Sequence, residues 1–331
     1  MAISVCCASL LSTGTAFAGY NELVVFGDSY SDSGNLALAY ASLGVPLTTP
    51  SDISGNDFAS TPYSVSGNSS NGTVWAQDLA TRLGLTHFAP SMAGGSNYAF
   101  SGAYTSSSVV SGVPSLGSQL DQYLASAGSA HAQAVYVVAG GTNDLRAVAH
   151  DVRDAIASGL DPTPLIAQFV AGYLQDTLTL VGRLKAAGAQ HIIVWDIPDL
   201  AATPIYRATT PPALLPVLGN VIRTTNGLLA GQLAQAGGGI TFFDVFALQD
   251  EMAADPARFG LINVTDACVG GTCDTSTQLF WDGLHWTDTA QTIVAERMMS
   301  AASLPEGDAL SLSALGLGLM GAMRRRHARQ H

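Results

Sequence analysis

What most constrains this chain is a repeated local pattern: a short apolar run, then a small polar turn, then a helical stretch. Leu23-Val24-Val25-Phe26 runs into Gly27-Asp28-Ser29, Asn97-Tyr98-Ala99-Phe100 into Ser101-Gly102, and Val135-Tyr136-Val137-Val138-Ala139 into the segment from Gly140 to Asp144. Apolar runs of this kind read as strands buried in a parallel sheet. Further strands are expected at 191–195 and 240–243. Helices are expected near 36–43, 73–83, 117–126, 214–236 and 287–302, with helical stretches up to about 187. Such alternation of strand and helix predicts an α/β fold, a parallel sheet covered by helices. Open sheets of this type place their sites beyond the carboxyl ends of the strands. The three polar turns are therefore expected to meet in one crevice.

The chemistry of those turns points to a hydrolase. A serine hydroxyl is a weak nucleophile at neutral pH; it needs a base within hydrogen-bond reach, and the base needs a third group to fix its tautomer. Ser29 supplies the hydroxyl, and Asp282-Gly283-Leu284-His285 supplies the other two. Three residues before His285 in a turn or short helix, the Asp282 carboxylate reaches one ring nitrogen of His285 and leaves the other facing Ser29. Acyl transfer also needs donors aimed at the developing oxyanion. Asn143 offers a side-chain amide, and Gly102 lets a backbone N–H approach without a Cβ in the way.

On these residues the chain resembles the SGNH, or GDSL-type, hydrolase superfamily, whose blocks stand in family order between about 23 and 300. Val25-Phe26-Gly27-Asp28-Ser29-Tyr30-Ser31-Asp32-Ser33-Gly34-Asn35 is similar to the first block. The segment from Asn97 to Ala103 is similar to the second, Gly141-Thr142-Asn143-Asp144 to the third, and Phe280 to His285 to the last. Four blocks in order are far more specific than a lone Gly-Asp-Ser triplet. The resemblance implies a three-layer α/β/α sandwich around a mainly parallel five-stranded sheet, flavodoxin-like in type. It implies Ser29 as nucleophile and amide donor, Gly102 and Asn143 as oxyanion donors, His285 as base and Asp282 as its orienter, with no cofactor. Three positions depart from the family pattern. Tyr30 stands in place of leucine, Ser101 in place of a first glycine, and Trp286 follows His285 where proline is common. Trp286 puts a bulky ring beside the base, which bears on the shape of the acyl pocket.

Other polar residues have plainer readings. Asp28 and Asp144 are read as turn residues that bind backbone N–H groups. His87, His131, His150 and His191 have no catalytic spacing and are read as surface or satisfied core residues. Gly316-Leu317-Gly318-Leu319-Met320-Gly321 has dinucleotide-binding spacing but lacks the strand and crossover that would give it meaning, so small residues in a membrane segment explain it better. The absence of a Gly-x-Ser-x-Gly elbow disfavours the α/β-hydrolase fold.

One catalytic domain, 19–303, is expected between two targeting segments. Residues 1–18 end in Ala16-Phe17-Ala18, which fits a cleaved secretory signal, although no positive charge precedes the apolar run. Cys6 and Cys7 would leave with it. Cys268 and Cys273 then read as a disulfide in an exported protein. It either steadies the loop carrying Asp282 and His285 or is purely structural. Two cysteines are too few for a zinc site, and no metal is expected. Residues 304–331 carry Pro305-Glu306, an apolar run at 309–323 and then Arg324-Arg325-Arg326. They resemble the PEP-CTERM sorting signals of Gram-negative bacteria, with Gly307 replacing a second proline. That resemblance implies exosortase-type processing and a transient membrane contact, since 15 apolar residues fall short of a stable span.

The segment 45–72 is too long for an ordinary connector and reads as a lid, a substrate rim or a solvated insertion. Within 19–304 there are nine basic and 23 acidic side chains, which argues against nucleic acid as a partner. The reading is a secreted or envelope-bound serine esterase or lipase with a lipid or acylated-carbohydrate ester as substrate. A carbohydrate O-acyl esterase and, from another class, a non-catalytic surface adhesin are the alternatives.

Overall fold

In the computed structural model, residues 19–45, 67–106, 112–268 and 273–302 are described, and the expected signal and sorting segments and most of 45–72 lie outside them. Four strands pair in the order in which they occur: β1 (Glu22–Gly27), β2 (Ala134–Ala139), β3 (His191–Trp195) and β4 (Ile240–Phe243). All three pairings are parallel, with Gly27 opposite Ala139 at the carboxyl end of the first pair. Every residue of β2 is buried. This is why its sequence has no polar alternation: both faces of the sheet are covered.

The helices covering the sheet are α1 (Asn35–Ser42), α2 (Trp75–Arg82), α3 (Leu116–Ala127), α4 (Thr142–Ala157), α5 (Thr163–Ala186), α6 (Pro204–Thr209), α7 (Leu215–Gln235), α8 (Val245–Ala254) and α9 (Asp288–Ala302). One group forms around α5, which packs on α3, α4, α7 and β2. A second pairs α9 with α2, and α9 also packs on β3 and β4. The α/β class and the parallel, helix-flanked sheet thus agree with the sequence reading.

The strand count differs. The fifth strand expected at 97–100 is only an extended segment on the free edge of β1. Val25 donates to Ser96 O (3.2 Å), while Tyr98 donates to Val25 O (2.8 Å) and Phe100 to Gly27 O (3.1 Å). Asn97 is the one residue bridged to β1, and it is bridged to Pro90 on its other side. The ladder is incomplete because the Gly27 N–H turns to Gln119 Oε1 (2.9 Å), while the Asn97 side chain accepts the Ala99 N–H (3.0 Å). The edge segment and β2 flank β1 on opposite sides, so β1 ends at the point where strand order reverses, the usual place for a ligand crevice.

Three features were not anticipated. The short helix α6 spans under two turns. Helix α8 follows β4 after a single residue; its first N–H groups are bound by Asp196 Oδ1 (2.8 Å to Val245 and 3.1 Å to Phe246), and Asp244 caps Ala247 (2.7 Å). A separate two-stranded parallel sheet joins β5 (Asn263–Ala267) to β6 (Gln278–Phe280). Cys268 and Cys273 lie in the connection between them, paired as a disulfide with Cα atoms 5.5 Å apart. Strand β6 leads directly into the loop that carries Asp282 and His285.

Candidate active site

Ser29 sits two residues past the end of β1. The Gln119 side chain fixes that end by accepting from Gly27 N–H and donating to Gly27 O, both at 2.9 Å. The chain then turns at once: Ser31 and Asp32 both donate to Asp28 O at 3.0 Å. Asp28 Oδ1 accepts the Tyr30 N–H (3.1 Å), in keeping with its reading as a turn residue. Burial pushes the Asp28 carboxyl up to about 7; the Tyr30 N–H and the nearby His285 oppose that rise.

The loop after β6 brings the histidine to this turn. His285 Nε2 lies 2.7 Å from Ser29 Oγ, and His285 Nδ1 lies 2.7 Å from Asp282 Oδ2. The other Asp282 oxygen accepts the N–H groups of Leu284 (2.7 Å) and His285 (2.6 Å). Asp282 and His285 have no exposed surface, and Ser29 is 6% exposed. A carboxylate accepting at Nδ1 fixes the proton there and leaves Nε2 to accept from the serine hydroxyl.

Two of the family departures have structural partners. The Tyr30 hydroxyl donates to Leu284 O (2.7 Å), tying the nucleophile turn to the histidine loop. A leucine here would lack that tie. Trp286 is fully buried; its indole N–H donates to Gln249 Oε1 (3.2 Å), and its ring packs 4.6 Å from that of Tyr30. The Trp286 ring thus belongs to the core and is not among the residues lining the apolar cleft.

The residues read as oxyanion donors lie on two other segments, joined by the Asn143 side chain. Gly102 has φ +87°, a left-handed conformation that side chains resist. Asn143 is the second residue of α4, and its Nδ2 donates to Ala103 O (2.9 Å), which leaves the second amide hydrogen available. Gly141, just before α4, has φ +110°, and a Cβ there would sit 2.4 Å from the Tyr173 ring. Asp144 points elsewhere, accepting from the Thr105 N–H (3.1 Å) and hydroxyl (2.9 Å), with burial raising its pKa. Of the plainer histidines, His131 pairs with Glu22 at 2.7 Å on the surface, and the His191 ring meets that of Tyr20. Among the described residues, no group of three His, Cys, Asp or Glu side chains is placed to hold a metal ion.

Beside this crevice runs a cleft of about 730 Å³ between α4, α5, α6 and α7. Its walls are mainly apolar, with Leu145, Val148, Phe169, Ile205, Leu218 and Val221 among them. It begins within one helical turn of Asn143 and follows α4 from 145 to 156, about 16 Å at 1.5 Å per residue. Ile205 donates its N–H to Gly283 O (2.8 Å), so the α6 wall is joined to the loop between Asp282 and His285. Arg146 and Tyr206 line it as a hydrogen-bonded pair; burial raises the Tyr206 hydroxyl pKa, and Arg146 opposes that rise. Sequence reading missed this cleft, because its walls come from four helices with no shared linear motif.

A buried serine, histidine and aspartate thus stand in series, joined by two 2.7 Å contacts. The sequence profile of the GDSL-like lipase/acylhydrolase family matches residues 23–298, and the chain belongs to that family. Esterase EstA of Pseudomonas aeruginosa is 30% identical to it, over 92% of this chain and 50% of the relative. Phosphatidylcholine-sterol acyltransferase of Aeromonas hydrophila is 27% identical, over 76% and 66%. The chain spans about half the length of the first curated relatives it matches. Among solved structures, a catalytic mutant of Axe2, an acetylxylan esterase from Geobacillus stearothermophilus, matches with a TM-score of 0.41 and 14% identity, over 86% of this chain and 95% of the other.

Proposed function

We propose that the protein is an exported serine esterase of lipase type, which hydrolyses esters of extended acyl chains through an acyl-enzyme on Ser29. The series Ser29–His285–Asp282, joined by two 2.7 Å contacts, carries this reading. Ser29 Oγ attacks the ester carbonyl carbon while His285 Nε2 takes its proton. The carbonyl oxygen becomes an oxyanion facing the N–H groups of Ser29 and Gly102 and the amide of Asn143. Collapse breaks the bond to the alcohol oxygen, which leaves with the proton from His285. Water then gives a proton to His285 and attacks the acyl-enzyme, releasing the acid and returning the proton to Ser29. Asp282 keeps the imidazole oriented throughout.

The apolar cleft supports a long acyl group over an acetyl group, and the phosphatidylcholine named for one relative is a diacyl lipid. A panel of chromogenic esters of rising chain length tests both activity and class. Efficiency that climbs beyond hexanoyl supports the lipase reading, and an acetyl-only preference replaces it with a carbohydrate O-acyl esterase. Export rests on Ala16-Phe17-Ala18 and on the Cys268–Cys273 pair, and removal of 304–331 on the order of its Pro-Glu, apolar and arginine parts. Intact mass of the cell-derived protein tests the last step: processing gives a chain ending near Pro305 or Glu306, and a chain ending at His331 overturns it.

A further inference from the structure

Asp32 lies three residues after the nucleophile, is fully buried, and touches none of the reacting groups described above. Five donors converge on it. Oδ1 accepts the N–H groups of Gly34 (2.8 Å) and Asn35 (2.6 Å), and Oδ2 accepts Leu36 N–H (3.2 Å), Ser101 N–H (2.9 Å) and Ser101 Oγ–H (3.0 Å). Burial pushes the carboxyl up from its ordinary value, and the backbone donors oppose this. Both oxygens are already accepting, which leaves no place for a carboxyl proton, so the geometry holds the group as the anion. The donors belong to two separate pieces of chain: the start of α1, and the loop that presents Gly102.

We infer that Asp32 is the positioning residue of the oxyanion hole, setting both Gly102 and Asn143 through its grip on Ser101. This inference rests on the reading of those two residues as oxyanion donors. With Ser101 N–H held by Asp32 and Phe100 N–H held by Gly27 O, the loop is pinned by two adjacent residues at the entry to its turn. The turn closes through Ala103 N–H to Phe100 O (3.1 Å), and Ala103 O then accepts the Asn143 amide. One carboxylate thereby orders a chain that runs through Ser101, Gly102 and Ala103 to Asn143.

The Ser101 departure is part of the same device. Its hydroxyl donates to Asp32, so at 3.3 Å it accepts from Ser69 Oγ–H. Ser69 is buried in 67–72, a stretch that also reaches the histidine side: Ser70 Oγ donates to Trp286 O (3.0 Å), and Asp288 N–H donates to Asn71 Oδ1 (2.9 Å). A glycine at 101 would keep the backbone contact to Asp32 and lose this link.

The test compares Asp32→Asn, Ser101→Ala and Asn143→Ala for kcat, KM, thermal midpoint and affinity for an alkyl boronic acid, whose tetrahedral adduct places an oxygen in the hole. Asp32→Asn turns an amide N–H₂ toward groups that need an acceptor, and is expected to lower kcat about 10²-fold with KM within about twofold. Boronate affinity should fall by a factor similar to that of kcat/KM. Ser101→Ala removes one hydroxyl and should lower kcat by about three- to tenfold with the thermal midpoint nearly unchanged, which keeps the inference testable if Asp32→Asn does not fold. The double variant Asp32→Asn/Asn143→Ala should lose less than the product of the single losses, since both act on one hole. Full kcat in Ser101→Ala and Asp32→Asn, or multiplicative losses in the double variant, overturns the inference and reduces Asp32 to a cap of α1. The outcome for Asn143→Ala alone separates the two readings: unchanged kcat there removes the oxyanion assignment itself.

Discussion

The crevice around Ser29 and the apolar cleft share helix α4 and are built on opposite principles. In the crevice, Ser29, Asp282, His285 and Asn143 are buried polar groups, and each is held by at least one hydrogen bond at 2.9 Å or less. The cleft is walled mainly by apolar side chains with few directional contacts. A polar group buried without a partner costs about 1–3 kcal/mol, so the crevice tolerates almost no substitution. Apolar walls change affinity by surface area, about 0.8 kcal/mol per methylene buried. On the proposed reading, the difference assigns cleavage of an ester to the crevice and the choice of ester to the cleft.

The largest expected effect tests the first half of that contrast. Ser29→Ala or His285→Ala should each lower kcat by about 10⁶, and the double variant by little more, because the groups act as a unit. Activity surviving in Ser29→Ala would move the chemistry out of this crevice. Next in size, Asn143→Ala should reduce kcat about 10²–10³-fold with a smaller change in KM. A rise in KM alone would recast Asn143 as a binding residue and blur the boundary between the two regions.

Substitution in the cleft should give a graded response instead. For unbranched acyl esters, kcat/KM should rise by up to about fourfold per added methylene until the cleft is filled. Val148→Trp should lower long-chain kcat/KM about tenfold more than it lowers that for acetyl esters. Equal losses for both substrates would show that the cleft does not hold the acyl chain.

A smaller effect separates the regions by pH. The folded pKa of Asp28, about 7, exceeds its ordinary 3.8. The folded protein therefore binds this proton more tightly than the unfolded chain. The associated stability is fully present below about 3.8, falls as pH rises toward 7, and is flat above that. Asp28→Asn should remove this component, so its unfolding free energy relative to the parent should increase between pH 4 and 7. A parallel pair of curves over that range would count against the buried, proton-holding Asp28. The smallest expected effect comes from the loop after β5. Reduction of Cys268–Cys273 should cost about 2 kcal/mol at most, because the closed loop is short. Mass spectrometry of unreduced protein that finds two free thiols would end this expectation.

How far the site was legible in the sequence follows the range of the forces involved. Strands 191–195 and 240–243 were read with their observed bounds; the apolar run of the first records burial on both faces, while the second has Thr241 exposed and only Phe243 buried. The segment at 97–100 was read too generously: its apolar character was visible, but the Gly27 N–H that would complete the ladder is taken by Gln119, 92 residues away. Helix α8 and strand β6 were missed because one hides behind a strand without a connector and the other has only three residues.

By itself the sequence determined the chemical inventory: a serine after one apolar run, an amide after another, and an Asp-x-x-His spacing that only a local turn is needed to realise. The tertiary structure decided everything that depends on direction. It turned Trp286 into the core and gave the Tyr30 hydroxyl a carbonyl 254 residues away to bind. It set Asp32 between α1 and the oxyanion loop, and assembled a cleft from four helices. The physical reason is that burial periodicity is written along the chain, whereas hydrogen-bond partners and the space between helices exist only once distant segments have packed.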